Sequence, residues 1–209
     1  MSASHTPRGR TPRRMSRRRT ALAAGAAAAA LVLSGCGDGG AADGASANTG
    51  FVPGTGGIDV AKKGSRTAAP ELAGETVDGK HADLADLRGK VVVINVWGSW
   101  CAPCRAEMPH LVKVANDTED EGVSFLGINA RDPNIAPAKQ FEKEFEVPYP
   151  SLYDPVGKLM LRFPKGSLNP KAIPSTVIVD RDGKIAARAL KPLGEDELRE
   201  TLEPLIAEK

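Results

Sequence analysis

Apolar residues between positions 68 and 209 follow two patterns, one of which predicts strands and the other helices. Continuous β-branched runs predict buried strands, because a strand covered on both faces has no polar side to show. Apolar positions that recur every three or four residues predict amphipathic helices. The predicted strands are 91–97, 123–130, 175–179 and 184–190, and the predicted helices are 102–117, 135–146, 155–163 and 195–207.

Turn signals and prolines refine this pattern. Residues 77–80 (VDGK) predict a small hairpin before the first buried strand. Phe141 and Phe145 are spaced to share one helix face. Pro109 and Pro204 fall inside predicted helices, where a proline removes a hydrogen bond, so we expect kinks there, or an early helix end at Pro204. Strands that alternate with helices, followed by a hairpin and a last helix, indicate an α/β sandwich.

The first third of the chain has a different composition. Residues 1–20 contain seven arginines and no acid, residues 21–33 are almost entirely apolar, and residues 37–57 contain eight glycines. A cationic segment followed by a short apolar one is typical of a secretory signal, whereas a bilayer-spanning anchor, the alternative, needs about 20 apolar residues. We therefore predict a signal peptide over residues 1–35, a flexible tether over 36–67 and a folded domain over 68–209.

The charge of the predicted domain excludes a strongly basic nucleic-acid binder. The chain has 28 lysines and arginines against 26 aspartates and glutamates, a net charge of +2. Without the seven arginines of residues 1–20 the net charge is −5, so the remainder is mildly acidic. Three cysteines are too few for a small disulfide scaffold.

Cys101 and Cys104 lie between a predicted buried strand and a predicted helix. A helix N-terminus presents unpaired N–H groups and the positive end of the dipole, which favour a thiolate at Cys101. A spacing of three residues returns Cys104 to the same helix face, within reach of a disulfide. Pro103 in the first turn costs little, because its missing N–H would be unpaired there. This arrangement predicts dithiol–disulfide chemistry with Cys101 as the exposed nucleophile.

Three other interpretations of the pair stay open. A zinc site would need two more ligands, but no second CxxC exists and the three histidines are His5, His81 and His110. A purely structural disulfide would close almost no loop and add little stability. Peroxidase chemistry at Cys101 would use Cys104 as the resolving thiol. No metal or cofactor site is predicted.

Residues 90–109 (KVVVINVWGSWCAPCRAEMP) resemble the TlpA/ResA group of membrane-tethered thiol–disulfide reductases in the thioredoxin superfamily. The resemblance extends over roughly residues 68–207. It implies an α/β thioredoxin-like fold, in which a central mixed sheet is flanked by helices and preceded by a β-hairpin. It also implies that Cys101 and Cys104 are the catalytic pair.

The resemblance gives expectations for the residues around the cysteines. Pro174 matches the family's cis-proline, and a cis bond there would bring the backbone of Ile173 beside Cys101, where it can pair with a substrate strand. Trp97 is expected in the core. Trp100 is expected to form a partly exposed wall of the substrate groove.

Glu107 is the candidate carboxylate of the site. It lies one helical turn after Cys104, where it is either a solvated surface glutamate or a group near the thiols. The resemblance favours the second reading, because the TlpA/ResA group has a glutamate here. Asn95 occupies the position where thioredoxins carry a buried acid, and an amide cannot titrate. Glu107 is therefore the expected base, which accepts a proton from a buried cysteine or raises that cysteine's pKa when ionised.

Residues 33–36 (LSGC) resemble the lipobox of bacterial lipoproteins, in which the cysteine is lipidated and begins the mature chain. Cys36 is thus the predicted lipidation site, with a stray thiol as the alternative. The domain is then expected on the extracytoplasmic face of the cell membrane, held by a lipid anchor. The arginines before the apolar segment resemble a twin-arginine export signal only weakly.

These features predict a membrane-anchored thiol–disulfide oxidoreductase, and the resemblance implies a reductase, although the residues themselves do not give the direction of electron flow. The resemblance implies protein disulfides as substrates, apocytochrome c among them, and a CcdA/DsbD-like membrane protein as electron donor. A thioredoxin-fold peroxidase and a tethered binding domain with a structural CxxC are the alternatives. An inserted segment, residues 164–172, precedes the proline, and it either sets substrate choice or is inert.

Overall fold

The computed structural model describes residues 50–208, which form a mixed β-sheet packed against three α-helices. The strands are β1 (Phe51–Pro53), β2 (Asp59–Ala61), β3 (Ala73–Glu75), β4 (His81–Asp83), β5 (Val91–Trp97), β6 (Val123–Ala130), β7 (Ser151–Asp154), β8 (Ser175–Val179) and β9 (Ile185–Ala189). The helices are α1 (Ala102–Thr118), α2 (Ile135–Glu144) and α3 (Glu195–Ala207). No helix in this described part of the chain is long and apolar enough to cross a membrane.

The main sheet has seven strands in the order β1-β2-β9-β8-β5-β6-β7. β5 lies parallel to β6 and antiparallel to β8, and all seven of its residues are buried. Its β-branched residues suit a strand that is covered on both faces. β3 and β4 pair separately as the hairpin that residues 77–80 predict.

Alternate residues of β5 enter two apolar cores. Val93 and Trp97 pack with residues of all three helices, including Leu111, Phe141 and Leu202. The opposite face of the strand, with Val92, Ile94 and Val96, packs against a second cluster that includes Leu72, Met160 and Phe163. Each face of the sheet is thus closed by apolar side chains, which fixes the position of β5 and of the loop that follows it.

The long apolar runs are confirmed as strands, and helices begin at Ala102, Ile135 and Glu195 as expected. α2 ends at Glu144, two residues before its predicted end. The helix predicted over 155–163 is wrong: only Met160–Arg162 form a short 3₁₀ turn, and Gly157 has a φ of 75°, which an α-helix cannot include.

The tether predicted over 36–67 is wrong for residues 50–67, because this segment adds β1 and β2 to the edge of the sheet. Ile58 is buried. The Arg66 guanidinium donates to Asp180 Oδ2 at 2.9 Å and to Glu208 Oε1 and Oε2, each at 2.7 Å. Gly56 has a φ of 62° and lies against Glu197, so the glycines here serve a tight turn rather than flexibility. The signal peptide, Cys36 and the rest of the tether lie outside the described residues.

The prolines inside helices do not end them. α1 continues through Pro109 to Thr118, and α3 continues through Pro204 to Ala207, so the expected early end at Pro204 is wrong. Pro204 is exposed, and the Arg181 guanidinium donates to the carbonyls of Leu205, Ile206 and Glu208. These bonds satisfy carbonyl groups that a last helical turn otherwise leaves unpaired, which supports the helix beyond its proline.

Candidate active site

Cys101 and Cys104 lie at the start of α1, joined by a disulfide with Cα atoms 5.2 Å apart. β5 ends at Trp97, and Cys101 is the N-cap residue of the helix. In this oxidised state 3% of Cys101 is exposed and 0% of Cys104. Apolar neighbours and the Sγ–Sγ bond cover both residues in this form, so the exposure of Cys101 as the nucleophile of the reduced protein stays a prediction. Cys101 is nevertheless the more accessible of the two.

The first turn of α1 favours negative charge on Cys101. The backbone N–H of Cys104 donates to Cys101 Sγ over 3.2 Å. Pro103 lies in this turn, and no acidic side chain does. The positive end of the helix dipole and the donated N–H therefore both favour the Cys101 thiolate once the disulfide is reduced.

The peptide bond between Ile173 and Pro174 is cis, as the resemblance implies, and it directly precedes β8. β8 pairs with β5 so that Ser175 lies opposite Val96, at the end of β5 from which the cysteines follow. Ile173 is half-buried and packs against the apolar cluster that contains Cys101. The register of the sheet thus brings the 173–174 peptide to the cysteine end of the molecule.

Glu107 lies inside the protein, so the solvated alternative is wrong: its exposed fraction is 1%. The Asn95 amide donates to Glu107 Oε1 at 2.9 Å, and the backbone N–H of Leu193 donates to Oε2 at 3.0 Å. Burial raises the pKa of Glu107 to about 7, although both hydrogen bonds act in the opposite direction. Desolvation outweighs two donors because the carboxylate has exchanged bulk water for an apolar interior.

Asn95 connects this carboxylate with the strand that follows the cis-proline. Its Nδ2 also donates to Thr176 Oγ1 at 3.1 Å, while its Oδ1 is buried without a hydrogen-bond partner among the described residues. Asn95 and Thr176 are paired residues of β5 and β8. The Glu107 carboxylate is therefore held by donors from β5 and from the loop before α3.

The two tryptophans differ as expected in exposure. Trp97 is fully buried, stacks on Phe141 with ring centroids 4.4 Å apart, and donates its indole N–H to Ser151 Oγ. Trp100, directly before Cys101, is 54% exposed. A large aromatic face is thus available to a partner beside the disulfide.

Asp132, which the sequence analysis did not identify, fixes the loop between β5 and the cysteines. It is buried, and it accepts hydrogen bonds from the backbone N–H of Ser99 at 2.8 Å and from the Ser99 hydroxyl at 2.6 Å. A third donor is Asn129 Nδ2 at 2.7 Å. The sequence feature that could have identified Asp132 is its position just after the buried strand β6. Because β6 is parallel to β5, the two strands end at the same edge of the sheet, next to the cysteines.

The rest of the site offers no metal centre: no group of three or more His, Cys, Asp or Glu side chains in residues 50–208 could hold a metal ion. The chemistry that the residues described above can perform is that of the cysteine pair. It would be assisted by the helix N-terminus, the buried carboxylate and the exposed aromatic face.

Residues 62–203 match the Redoxin family. Among curated proteins, the thiol-disulfide oxidoreductase ResA of Bacillus cereus (strain ZK / E33L) is 29% identical over 137 residues, which cover 66% of this chain and 76% of that protein. The thiol:disulfide interchange protein HelX of Rhodobacter capsulatus is 38% identical over 125 residues, 59% of this chain and 65% of that one.

Solved structures of similar fold include a DsbF homologue from Corynebacterium diphtheriae, with a TM-score of 0.67 and 32% identity over 74% of this chain and 96% of that one. A secreted thiol-disulfide isomerase from Corynebacterium glutamicum superimposes with a TM-score of 0.68 and 28% identity, covering 75% of this chain and 96% of that one. These similarities confirm the thioredoxin-like α/β fold.

Proposed function

The chain belongs to the Redoxin family, and we propose that it is a membrane-anchored, extracytoplasmic reductase of protein disulfides that works by exchange at Cys101 and Cys104. The observation that carries this proposal is the disulfide at the N-terminus of α1, at the end of the sheet where the cis-proline lies. A disulfide between residues three apart adds little stability, so its position favours a redox role over a structural one.

The reaction would proceed in two exchange steps. The Cys101 thiolate attacks one sulfur of the substrate disulfide, that S–S bond breaks, and a mixed disulfide forms while the other substrate sulfur leaves as thiolate. Cys104, once deprotonated, attacks Cys101 Sγ and releases the second substrate sulfur. Two electrons pass from the protein's dithiol to the substrate. The two thiol protons of the protein end on the substrate's two thiols, and Cys101 and Cys104 return to the disulfide.

Glu107 is the group that would take the proton of Cys104 in the second step. It lies one turn further along the same helix and is buried like Cys104. Its pKa of about 7 divides it between carboxylate and acid near neutral pH, which suits a group that must both accept and return a proton. Pro174 and Ile173 would present backbone groups to the substrate strand, and Trp100 would lie against it.

The place of the reaction is proposed from the N-terminal segment, which lies outside the described residues. A signal peptide over 1–35 would direct export, and a lipid on Cys36 would hold the domain at the extracytoplasmic face of the cell membrane. A glutathione pool is not available there to reduce the protein. Electrons would then come from a CcdA/DsbD-like membrane protein. Apocytochrome c is one expected class of substrate, since the fold and cysteine pair are those of thiol–disulfide proteins such as ResA and HelX.

Trapping of the mixed disulfide tests the exchange step. Cys104→Ser should form a stable disulfide-linked adduct with a disulfide-bonded peptide, and Cys101→Ser, the matched control, should form much less. An equal yield from both variants contradicts the assigned order of attack. The reduction potential then gives the direction of electron flow, since a value near about −270 mV suits a reductant and one near about −120 mV an oxidant.

Two further measurements separate the alternatives. Peroxide turnover by the reduced wild type that is faster than peptide reduction would favour a peroxidase. Membrane fractionation tests the anchor: the wild type should partition to the membrane, and Cys36→Ala should release the domain or leave it unprocessed. A wild-type protein that is already free of membrane and cleaved elsewhere contradicts the lipid anchor.

A further inference from the structure

Arg131 contacts three segments that meet beside the cysteines. It follows β6 directly, and its side chain is exposed. The guanidinium carbon lies 5.7 Å from the centre of the Trp100 ring, and Nη2 donates to the carbonyl of Pro170 at 3.2 Å. A Cβ built on Gly157 would lie 3.7 Å from Arg131 Cγ. Residues near Gly157 and near Pro170 are therefore neighbours of the Arg131 side chain, which itself lies over the Trp100 ring.

The segment that supplies two of these contacts carries positive charge only. Residues 155–173 contain three lysines and one arginine and no acidic residue. Lys158 follows Gly157 and Lys171 follows Pro170, and both lysines are exposed. Neither they nor Arg131 form an ion pair within residues 50–208. We call Arg131, which lies over the Trp100 ring, and the exposed lysines Lys158 and Lys171, which adjoin its two other neighbours, the cationic rim.

This charge contrasts with the remainder of the predicted mature chain, which carries a net negative charge. Exposed cations that form no ion pair interact with the charges of a bound molecule over about 10 Å at 0.1 M salt. The rim lies next to the residue that precedes Cys101, and it ends two residues before Ile173 in the chain. A substrate strand that lies along Ile173 and Trp100 would have its flanking residues inside that distance.

We propose that the cationic rim selects protein substrates whose disulfide is flanked by acidic residues. This inference rests on the proposed exchange function and names the substrate class for the same site. Opposite charge steers encounter and fixes orientation, which changes the association rate more than the exchange chemistry. Trp100 adds an aromatic face on which an apolar or aromatic substrate residue packs.

The test compares three peptides that share one internal disulfide and differ only in the residues beside it. These flanking residues are glutamates, glutamines or lysines. The measured quantity is the second-order rate constant for peptide reduction by the reduced protein. It is measured at about 0.01 M salt, where the Debye length is about 30 Å, and at about 1 M, where it is about 3 Å. The wild type should reduce the glutamate peptide roughly tenfold faster than the lysine peptide at low salt, and about equally at high salt.

Two charge-reversal variants separate local from overall electrostatics. Lys158→Glu with Lys171→Glu should invert the preference, so that the lysine peptide becomes the faster substrate. Lys90→Glu with Lys184→Glu changes the net charge by the same amount at the opposite end of the sheet, before β5 and β9 begin. This control should keep the wild-type preference. Arg131 is left unchanged, because its φ of 60° and its contacts make it part of the framework.

The outcomes distinguish this inference from the proposed function. A wild-type ratio near one, or an equal loss of preference in the control variant, overturns the inference while exchange stands. Failure to reduce even the glutamine peptide overturns the exchange function, and the inference with it. The last measurement is binding of the wild type and the Lys158→Glu, Lys171→Glu variant to phosphatidylglycerol vesicles. If reversal at Lys158 and Lys171 abolishes vesicle binding and leaves the peptide ratios unchanged, the rim contacts membrane and the inference is wrong.

Discussion

Replacement of Glu107 by glutamine should change how the stability of the protein depends on pH. In the unfolded chain the carboxyl group ionises around pH 4.5, whereas burial raises the pKa of folded Glu107 to about 7. Between these values the unfolded state has lost a proton that the folded state keeps, so raising the pH favours unfolding. The wild type should therefore lose stability relative to Glu107→Gln from about pH 4.5 to about pH 7, and no more above that.

The size of this loss follows from the change in pKa. Each tenfold change in the ionisation constant is worth about 1.4 kcal/mol, so a pKa raised from 4.5 to about 7 corresponds to about 3 kcal/mol. The variant itself should fold without a large penalty. If the Asn95 side-chain amide rotates by about 180°, its unpartnered Oδ1 can accept a hydrogen bond from the new side-chain amide at position 107. The same oxygen can then accept a hydrogen bond from the Thr176 hydroxyl.

The assay is urea denaturation of the oxidised protein at a series of pH values from about 4 to 8. Burial also raises the pKa of Glu142 to about 7, and this group contributes its own pH dependence to every curve. Subtracting the free energies of wild type and Glu107→Gln at each pH cancels that contribution. Glu203→Gln, at an exposed position of α3, is the control for the loss of one glutamate carboxylate. Parallel wild-type and Glu107→Gln curves across the whole range would refute the assignment of a raised pKa to Glu107.

One labelling experiment and two substitutions test other parts of the structure. In the reduced protein, limiting iodoacetamide should label Cys101 before Cys104 in a peptide map, because the Cys101 thiolate is favoured and less covered; the reverse order contradicts its role. Asp132→Ala leaves the Ser99 donors unpaired, so the unfolding free energy should fall by about 3 kcal/mol and exchange should slow; unchanged exchange would show that Asp132 does not position the loop. Arg66→Met removes the partner of two carboxylates, so the unfolding free energy measured by urea denaturation should fall by about 3–5 kcal/mol. An unchanged unfolding free energy would contradict the conclusion that residues 50–66 are part of the folded domain.

The parts of the fold that the sequence predicts are those in which one strand or helix buries many apolar residues. β5 is apolar apart from Asn95 and β6 is apolar apart from Ser124 and Asn129, and the ends of both strands are where the pattern places them. β1 and β2 have three residues each and lie among glycines, so their pairing depends on the neighbouring strand β9 rather than on their own burial. Composition alone therefore gives the wrong result for residues 50–67.

The candidate site divides in the same way. The spacing of Cys101 and Cys104 and their place after a buried strand are local features, and the sequence shows them directly. Contacts between distant segments are not local, such as the Leu193 N–H on the Glu107 carboxylate and the Ser99 loop on Asp132. Only the packing of α3 against the sheet and the pairing of β6 with β5 bring these donors and acceptors together, so the burial of Glu107 could not be predicted from its helix position.

The neutral amide beside the Glu107 carboxylate has a consequence for the chemistry. Because Asn95 is neutral, Glu107 does not share its proton with a second acid at this position, and its other donor is a backbone N–H. Burial and the charge of Glu107 raise the pKa of Tyr149, so its phenol stays neutral through the working range. A coupled pair of acids would titrate in two steps, whereas Glu107 beside a neutral amide should show one ionisation, whose midpoint depends on whether Cys101 and Cys104 are reduced or joined.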